Sequence, residues 1–333
     1  MYQKTTTSSL GDSHFAFYYL SINDAERSIL QGDTIGALES YKQAFTKVVY
    51  PFPSDLHNAA LASVALSDQA FGKRCIMQMA DYGVTPVWLE NNRDKYYSNL
   101  FVKGEWSVFS EEYQMAFDRY QRVEAANEAQ RVLARIDDRD QAIREEIIGN
   151  YWPVDSVNLI EFKSLIDRYG FPSLRELGLP NPFYQRLPYI NFLNHSLKHL
   201  KREIHNYPLD SLLIHAVYNG RIEPYMAGKL LDIYTAKVAN FGQYGTSGYF
   251  FLDNTEGGLC ELVYNENEIQ ILNSKRAEIY LDDYEIFLAK WYMRHDRIEN
   301  DLPDLFRIPK DYGSYIYPSP IQEVIEIRRV DSP

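Results

Sequence analysis

Four histidines fall close together near the middle of the chain: His195, His199, His205 and His215. Histidine binds metals and moves protons near neutral pH. His195 and His199 are four residues apart, so both rings would lie on one helix face, as in a zinc-binding helix. A zinc hydrolase of that type has glutamate directly after the first histidine, and this chain has Ser196 there. We therefore expect no metal and no other cofactor, and His195 and His199 are the residues that a metal would use.

Other short motifs that carry chemistry are missing. The sequence contains neither GxGxxG nor GxxxxGK[ST], the patterns that hold nucleotide phosphates. A glycine-rich stretch over 242–248 precedes a strand-like run, whereas a phosphate loop precedes a helix. Within it, Ser247 does not lie in the GxSxG pattern of a hydrolase nucleophile. Cys75 has no adjacent histidine, so we do not interpret it as a nucleophile.

The charge balance limits the partners. The chain has 34 Lys and Arg against 46 Asp and Glu, a formal net charge of -12. Binding nucleic acid without sequence preference, or docking on an anionic membrane, requires a basic face. The composition therefore argues against both kinds of partner. No apolar run approaches 18 residues, and the first ten residues lack the apolar core of a signal peptide. With two cysteines far apart in sequence, we expect a cytoplasmic protein with reduced thiols.

The elements that must position any site are predominantly helical. Residues 1–13 are polar and predict a flexible arm. Helical spacing of apolar residues begins at His14 and is broken at Gly32 and again before residue 55. It predicts a second hairpin over about 55–82. Further helices are expected over about 86–101 and 110–148.

The first hairpin carries a recognisable spacing of small and aromatic residues, formed by Gly32, Ala37, Tyr41 and Ala44. These residues resemble a tetratricopeptide repeat, in which a glycine ends the first helix and small residues let the second helix pack closely. The resemblance covers about residues 20–86. It implies a tetratricopeptide-like helical domain over 14–130 with a concave surface that binds a peptide or protein.

Tyrosine is unusually frequent, with 27 residues. Tyrosine is enriched where protein surfaces bind other chains. We predict that Tyr18, Tyr41 and Tyr82 are ligand-binding residues on the concave surface. The alternative interpretation is that these tyrosines pack between helices.

The second half carries an ordered set of motifs: DQxxR from Asp140, Gly170-Phe171-Pro172, the lone His195, Tyr244-Gly245-Thr246 and Lys275-Arg276-Ala277. This order resembles a bacterial family of unknown function. The resemblance covers about residues 138–290. The chain departs from the family at Ser247, where glutamine is usual, and at Tyr280, where glycine is usual. The family has no established activity. The resemblance therefore implies a fold unit and a candidate site, and no reaction.

The polar members of this set form the candidate site that the resemblance implies: His195, Asp232, Tyr244, Thr246 and Arg276. A histidine and an aspartate could act as an acid–base pair, and an arginine can bind a carboxylate or phosphate through two hydrogen bonds. The alternative interpretation is structural. Asp232 and Arg276 would then form an ion pair, His195 would bond a buried carbonyl, and residues 244–246 would form a turn.

The C-terminal part predicts one small β-hairpin near 249–264, because two β-prone runs flank a turn rich in glycine. A helix over about 273–295 follows. Four prolines then predict an irregular, proline-rich tail over 296–333. The predicted fold is mainly α, with a helical-hairpin, repeat-like N-terminal half packed on a helical unit over 131–295 that carries the hairpin.

Two functions are consistent with these features. The first is a peptide- or protein-binding scaffold, or partner protein, that uses a concave, tyrosine-rich helical surface. The second is an enzyme of unknown reaction, peptide-modifying or hydrolytic, with its site at the five candidate residues. Convergence of those residues in one pocket would favour the enzyme, and separate ion pairs would favour the scaffold.

Overall fold

The computed structural model describes residues 14–122, 124–146, 151–179, 181–182, 193, 209–239, 243–246, 250–252, 259–262, 264–299 and 327–330. This part of the chain is mainly helical, as the sequence predicts. Its helices are α1 (His14–Leu30), α2 (Thr34–Phe45), α3 (Pro53–Leu66), α4 (Gln69–Met79), α5 (Pro86–Tyr96), α6 (Glu105–Gln121), α7 (Glu124–Glu146), α8 (Trp152–Tyr169), α9 (Leu174–Leu177), α10 (Leu209–Tyr218), α11 (Pro224–Ala239), α12 (Glu266–Glu278) and α13 (Tyr284–Glu299). None of these described helices is long and apolar enough to cross a membrane.

The first four helices form two successive hairpins, with α1 against α2 and α3 against α4. Local signals set their ends. Gly32 adopts a left-handed φ of 75°, and the Asp33 side chain then accepts a hydrogen bond from the Gly36 N–H at 2.9 Å, which caps α2. Pro53 begins α3, and Asp68 caps α4 by accepting from the Phe71 N–H at 3.2 Å.

The three tyrosines expected on a concave surface lie inside the protein. Tyr18 and Tyr41 are fully buried and Tyr82 is 3% exposed. The Tyr18 hydroxyl donates to Asp55 and accepts from the Phe52 N–H at 2.9 Å. Their rings fill space between helices, so they do not line an accessible surface. The burial corrects the expectation that they are surface ligand-binding residues and agrees with the packing alternative.

One hydrophobic core runs from α1 to the turn after α12. Hydrogen bonds join the two halves: the Tyr19 hydroxyl donates to the Val217 carbonyl at 2.9 Å, and the Ser54 hydroxyl donates to Glu223 at 2.9 Å. The helix α7 runs continuously through residue 130, where the sequence analysis divided the two halves. The single helix predicted over 110–148 is two helices in the structure, because α6 ends at Gln121 and α7 begins at Glu124.

A small sheet lies near the C-terminus. Strands β1 (Phe250–Leu252) and β2 (Leu259–Leu262) pair antiparallel, with Phe251 opposite Cys260, at the position of the predicted hairpin. A third strand, β3 (Ile327–Val330), pairs antiparallel with β2. The prediction of an irregular tail is wrong for these four residues. All the prolines that motivated it precede residue 321, so none removes a backbone donor from β3.

The helix predicted over 273–295 is interrupted by a turn over 279–283, which separates α12 from α13. Tyr280 in this turn has a left-handed φ of 60°, a conformation that glycine adopts at little cost. This is the position at which the resembled family has glycine. The Tyr280 ring is 8% exposed and stacks on Tyr19 at 5.5 Å, so its burial offsets the cost of the backbone conformation.

Candidate functional site

Four of the five candidate residues meet at one place. Asp232 on α11 is fully buried, and its Oδ1 accepts from the Tyr244 N–H at 2.7 Å. Its Oδ2 accepts from the Thr246 N–H at 2.5 Å and from the Thr246 hydroxyl at 2.7 Å. Arg276 on α12 donates from Nη1 to the carbonyls of Tyr244 at 2.7 Å and Gly245 at 3.2 Å. The aspartate thus binds N–H groups of the 244–246 turn while the arginine binds its carbonyls.

The hydrogen bonds of Asp232 indicate what this carboxyl group does. Burial raises its pKa, and hydrogen bonds from Thr246 and Tyr244, together with the charge of Arg276, act in the opposite direction. Both carboxyl oxygens accept from the turn, so the group holds backbone in place. His195 and His199 lie outside the described residues, and the acid–base pair of His195 with Asp232 stays a prediction.

Arg276 also lines a small cavity of about 50 Å³. The cavity lies where α1 meets α11, α12, the 279–283 turn and α13. Its charged lining residues are Glu26, Arg276, Asp282 and Lys290. Groups from both halves of the chain therefore surround one space, and Arg276 connects that space to the Asp232 network.

A buried ion cluster forms one side of the cavity. The Lys290 ammonium donates to both Glu26 and Asp282, and each of these three residues is 5% exposed. The second oxygen of Asp282 lies 3.0 Å from Nη2 of Arg27. The second oxygen of Glu26, Oε1, is buried without a hydrogen-bond partner in the part of the chain that the structure describes. A buried carboxylate oxygen in this state is rare in folded proteins and calls for an explanation.

Aromatic rings form another part of the cavity wall. Tyr19 stacks on Tyr280, and Tyr225 stacks on Phe287 with ring centroids 5.9 Å apart. The Arg276 guanidinium lies 5.0 Å from the centroid of Phe287. The Tyr225 hydroxyl donates to the Thr246 carbonyl at 2.8 Å. The turn that Asp232 holds is therefore hydrogen-bonded to the cavity wall.

Sequence reasoning missed Glu26, Asp282 and Lys290, although α1 carried a signal. Glu26 lies four residues after the buried Ile22 and eight after the buried Tyr18, on the apolar stripe of the helix. A carboxylate in such a stripe must find a buried partner. Its partner Lys290 is 264 residues away, beyond the reach of any motif.

No group of three or more His, Cys, Asp or Glu side chains suited to a metal ion is present in the residues described above. The two histidines named for a metal lie outside them, so the expectation about metal binding stays a prediction.

Comparisons with protein-family models, with curated proteins and with solved structures give no match for this chain. The resemblances to tetratricopeptide repeats and to a bacterial family therefore remain predictions from the sequence.

Proposed function

We propose that this chain is a peptide- or protein-binding helical protein and that the cavity between α1 and α11–α13 receives part of its ligand. The observation that carries the proposal is the buried Oε1 of Glu26, which lines this cavity and has no hydrogen-bond partner among the described residues. Burying a charged group costs several kcal/mol unless it is fully paired. A ligand that completes the pairing accounts for the oxygen.

The cavity is large enough for only one small group of a peptide ligand. A volume of about 50 Å³ accepts only a small chemical group. A chain end or a single side chain of a peptide fits this limit, with the remainder of the ligand on the adjoining helices. Small-molecule and peptide sites are frequent where two structural units meet, as α1 and the C-terminal helices do here.

The enzyme alternative has one observation in its favour, the convergence of Asp232, Tyr244, Thr246 and Arg276. We place it second because both oxygens of Asp232 are bonded to the turn.

We also propose that the protein is cytoplasmic, where thiols stay reduced. Cys75 is a free, buried thiol, and burial raises its pKa to about 12, which makes it unreactive.

A peptide array tests the proposal. The full chain is applied as the wild type and as Asn23→Phe, because Asn23 is a half-buried lining residue and a ring at this position would obstruct the cavity. The matched control is Asn92→Phe on α5. Asn23 donates to the Tyr280 carbonyl at 2.9 Å and Asn92 to the Trp88 carbonyl at 2.8 Å, so both variants lose the same kind of bond.

We expect a subset of peptides to bind the wild type and Asn92→Phe equally and to bind Asn23→Phe at least tenfold more weakly. Binding that Asn23→Phe leaves unchanged would place the ligand elsewhere. An array in which no peptide binds the folded wild type would contradict the proposed function.

A further inference from the structure

We propose that the cavity recognises a primary ammonium group, either the N-terminus of a peptide or a lysine side chain, and that Oε1 of Glu26 accepts its hydrogen bond. The peptide nature of the ligand rests on the proposed function. The ammonium chemistry rests on the cavity alone.

The first argument is the free acceptor. Glu26 is 5% exposed, and Lys290 takes its Oε2. Its Oε1 is buried, and no described group donates to it. Leaving such an oxygen without a donor is unfavourable, and more so when the group is charged. A ligand that donates an N–H at this point recovers that free energy, so the site selects for a hydrogen-bond donor.

The second argument is the charge of the surrounding cluster. Lys290 is shared between two carboxylates, and Arg27 is shared between Asp24 at 3.1 Å and Asp282 at 3.0 Å. Among the described residues, these ion pairs join three carboxylates, those of Asp24, Glu26 and Asp282, to the two basic groups of Arg27 and Lys290, which leaves one negative charge. A single positive charge on the ligand balances the cluster, whereas an anion would increase the imbalance.

The third argument is the wall and the volume. Tyr19, Tyr225, Tyr280 and Phe287 line the cavity, and aromatic rings attract cations within about 6 Å of their centroids. The space of about 50 Å³ is enough for an ammonium group and a short length of its stem. The net charge of -12 on the whole chain attracts cationic ligands in the same sense.

Small amines test this inference with the full chain. Titration calorimetry would use n-butylammonium as a mimic of the lysine side chain, glycinamide as a mimic of a peptide N-terminus, and n-butanol as the uncharged counterpart. The variant is Glu26→Gln, which keeps the shape and removes the charge. The control is Glu39→Gln, the same change at an exposed position on α2.

We expect one of the two amines to bind the wild type and Glu39→Gln equally and Glu26→Gln at least tenfold more weakly, while n-butanol does not bind. The amine that binds identifies the source as a lysine side chain or an N-terminus. Equal binding of n-butanol, unchanged binding to folded Glu26→Gln, or no binding of either amine would overturn the inference. If circular dichroism shows that Glu26→Gln is unfolded, Glu26→Asp retains the charge on a shorter stem and should weaken amine binding to a smaller extent; unchanged binding to Glu26→Asp then overturns the inference.

The same array separates this inference from the proposed function. Acetylation of peptide N-termini or of lysines should abolish the binding that Asn23→Phe weakens. Cavity-dependent binding that neither acetylation alters would overturn ammonium recognition and leave the peptide-binding function standing. Binding of an amine without any peptide binding would support ammonium recognition and contradict the peptide-binding function.

Discussion

His57 and Asp232 are both fully buried titratable residues, and their surroundings differ. Asp232 accepts three hydrogen bonds from the 244–246 turn. His57 on α3 has Nδ1 at 2.5 Å from the Tyr97 hydroxyl, and burial lowers its pKa from 6.5 to about 3. His57 is therefore neutral at ordinary pH in the folded protein. Substitution of the two residues should therefore affect stability in different ways.

His57 should make the protein sensitive to mild acid. The unfolded chain takes up a proton on this residue below pH 6.5 and the folded chain does so only near pH 3. The contribution of neutral His57 to stability is therefore complete above pH 6.5, and it decreases as the pH falls from 6.5 towards 3. At pH 5 the loss should be about 2 kcal/mol. Urea unfolding of the wild type and His57→Gln at pH 7 and pH 5 measures it.

The control for this experiment is His215→Gln, because His215 is exposed. It should lose as much stability as the wild type between the two pH values, and His57→Gln should lose less. Equal losses in all three proteins would show that His57 does not limit stability in acid.

Replacing Asp232 should destabilise the fold through the turn that it holds. In Asp232→Asn one acceptor oxygen becomes an NH₂ group, which then faces either the backbone N–H of Tyr244 or the backbone N–H and hydroxyl of Thr246. We expect a loss of about 1–3 kcal/mol per unsatisfied group in thermal or urea unfolding. Asp167→Asn changes an exposed residue in the same way and should have little effect. A loss of similar size in both variants would contradict the role of Asp232.

At the scale of elements, the turn between α12 and α13 decides where the C-terminal charges lie. The capping box of Asn265 and Glu268 begins α12, so a local signal sets that end. The break after it depends on Tyr280 in a left-handed conformation. Because the chain turns there, Lys290 reaches both Asp282 in the turn and Glu26 on α1.

The backbone of Tyr280 predicts an unusual order of stability. Tyr280→Ala and Tyr280→Gly both lose the buried ring, but alanine alone bears the steric cost of a left-handed φ. We expect Tyr280→Gly to be more stable than Tyr280→Ala by about 1 kcal/mol in urea unfolding. At the buried Tyr113, inside α6, the order should reverse, because glycine weakens a helix interior by about 1 kcal/mol. The same order at both positions would argue against strain at Tyr280.

At the scale of the molecule, the two halves share one core and are joined by bonds between distant residues. The Tyr19 hydroxyl joins α1 to the Val217 carbonyl, and Glu26 joins α1 to Lys290 on α13. The cavity lies within this contact between the halves. Its shape therefore depends on the halves remaining together, and binding there should stabilise both of them.

The shared core predicts that α3 and α11 open together. Native-state hydrogen exchange should give their slowest amides the same free energy of opening. Tyr19→Phe removes a bond between the halves, and Tyr113→Phe removes a bond of equal length, 2.9 Å, to Val84 inside the N-terminal half. Each substitution should reduce stability by about 1 kcal/mol, and it should lower the free energy of opening by the same amount in α3 and in α11. A larger loss in α11 than in α3 for Tyr19→Phe would mean that the halves unfold separately.

The features predicted correctly from the sequence depend on residues close together along the chain. The hairpin of α3 and α4 follows from Pro53, from Asp68 and from the apolar spacing between them. The strands β1 and β2 follow from two β-prone runs on either side of a turn. In these cases the free energy that selects the structure comes from caps, turns and side-chain spacing over three or four residues.

The features that sequence reasoning missed depend on contacts between residues far apart. The helical pattern of the sequence continues through Tyr280. The cost of the left-handed conformation that ends the helix there is offset by stacking of the Tyr280 ring on Tyr19 of α1. The burial of Tyr18 and Tyr41 follows from how the helices pack. Glu26 and Lys290 meet only because α1 and α13 lie side by side. A buried charge is tolerable only beside its partner, and packing between distant helices determines which partner it has.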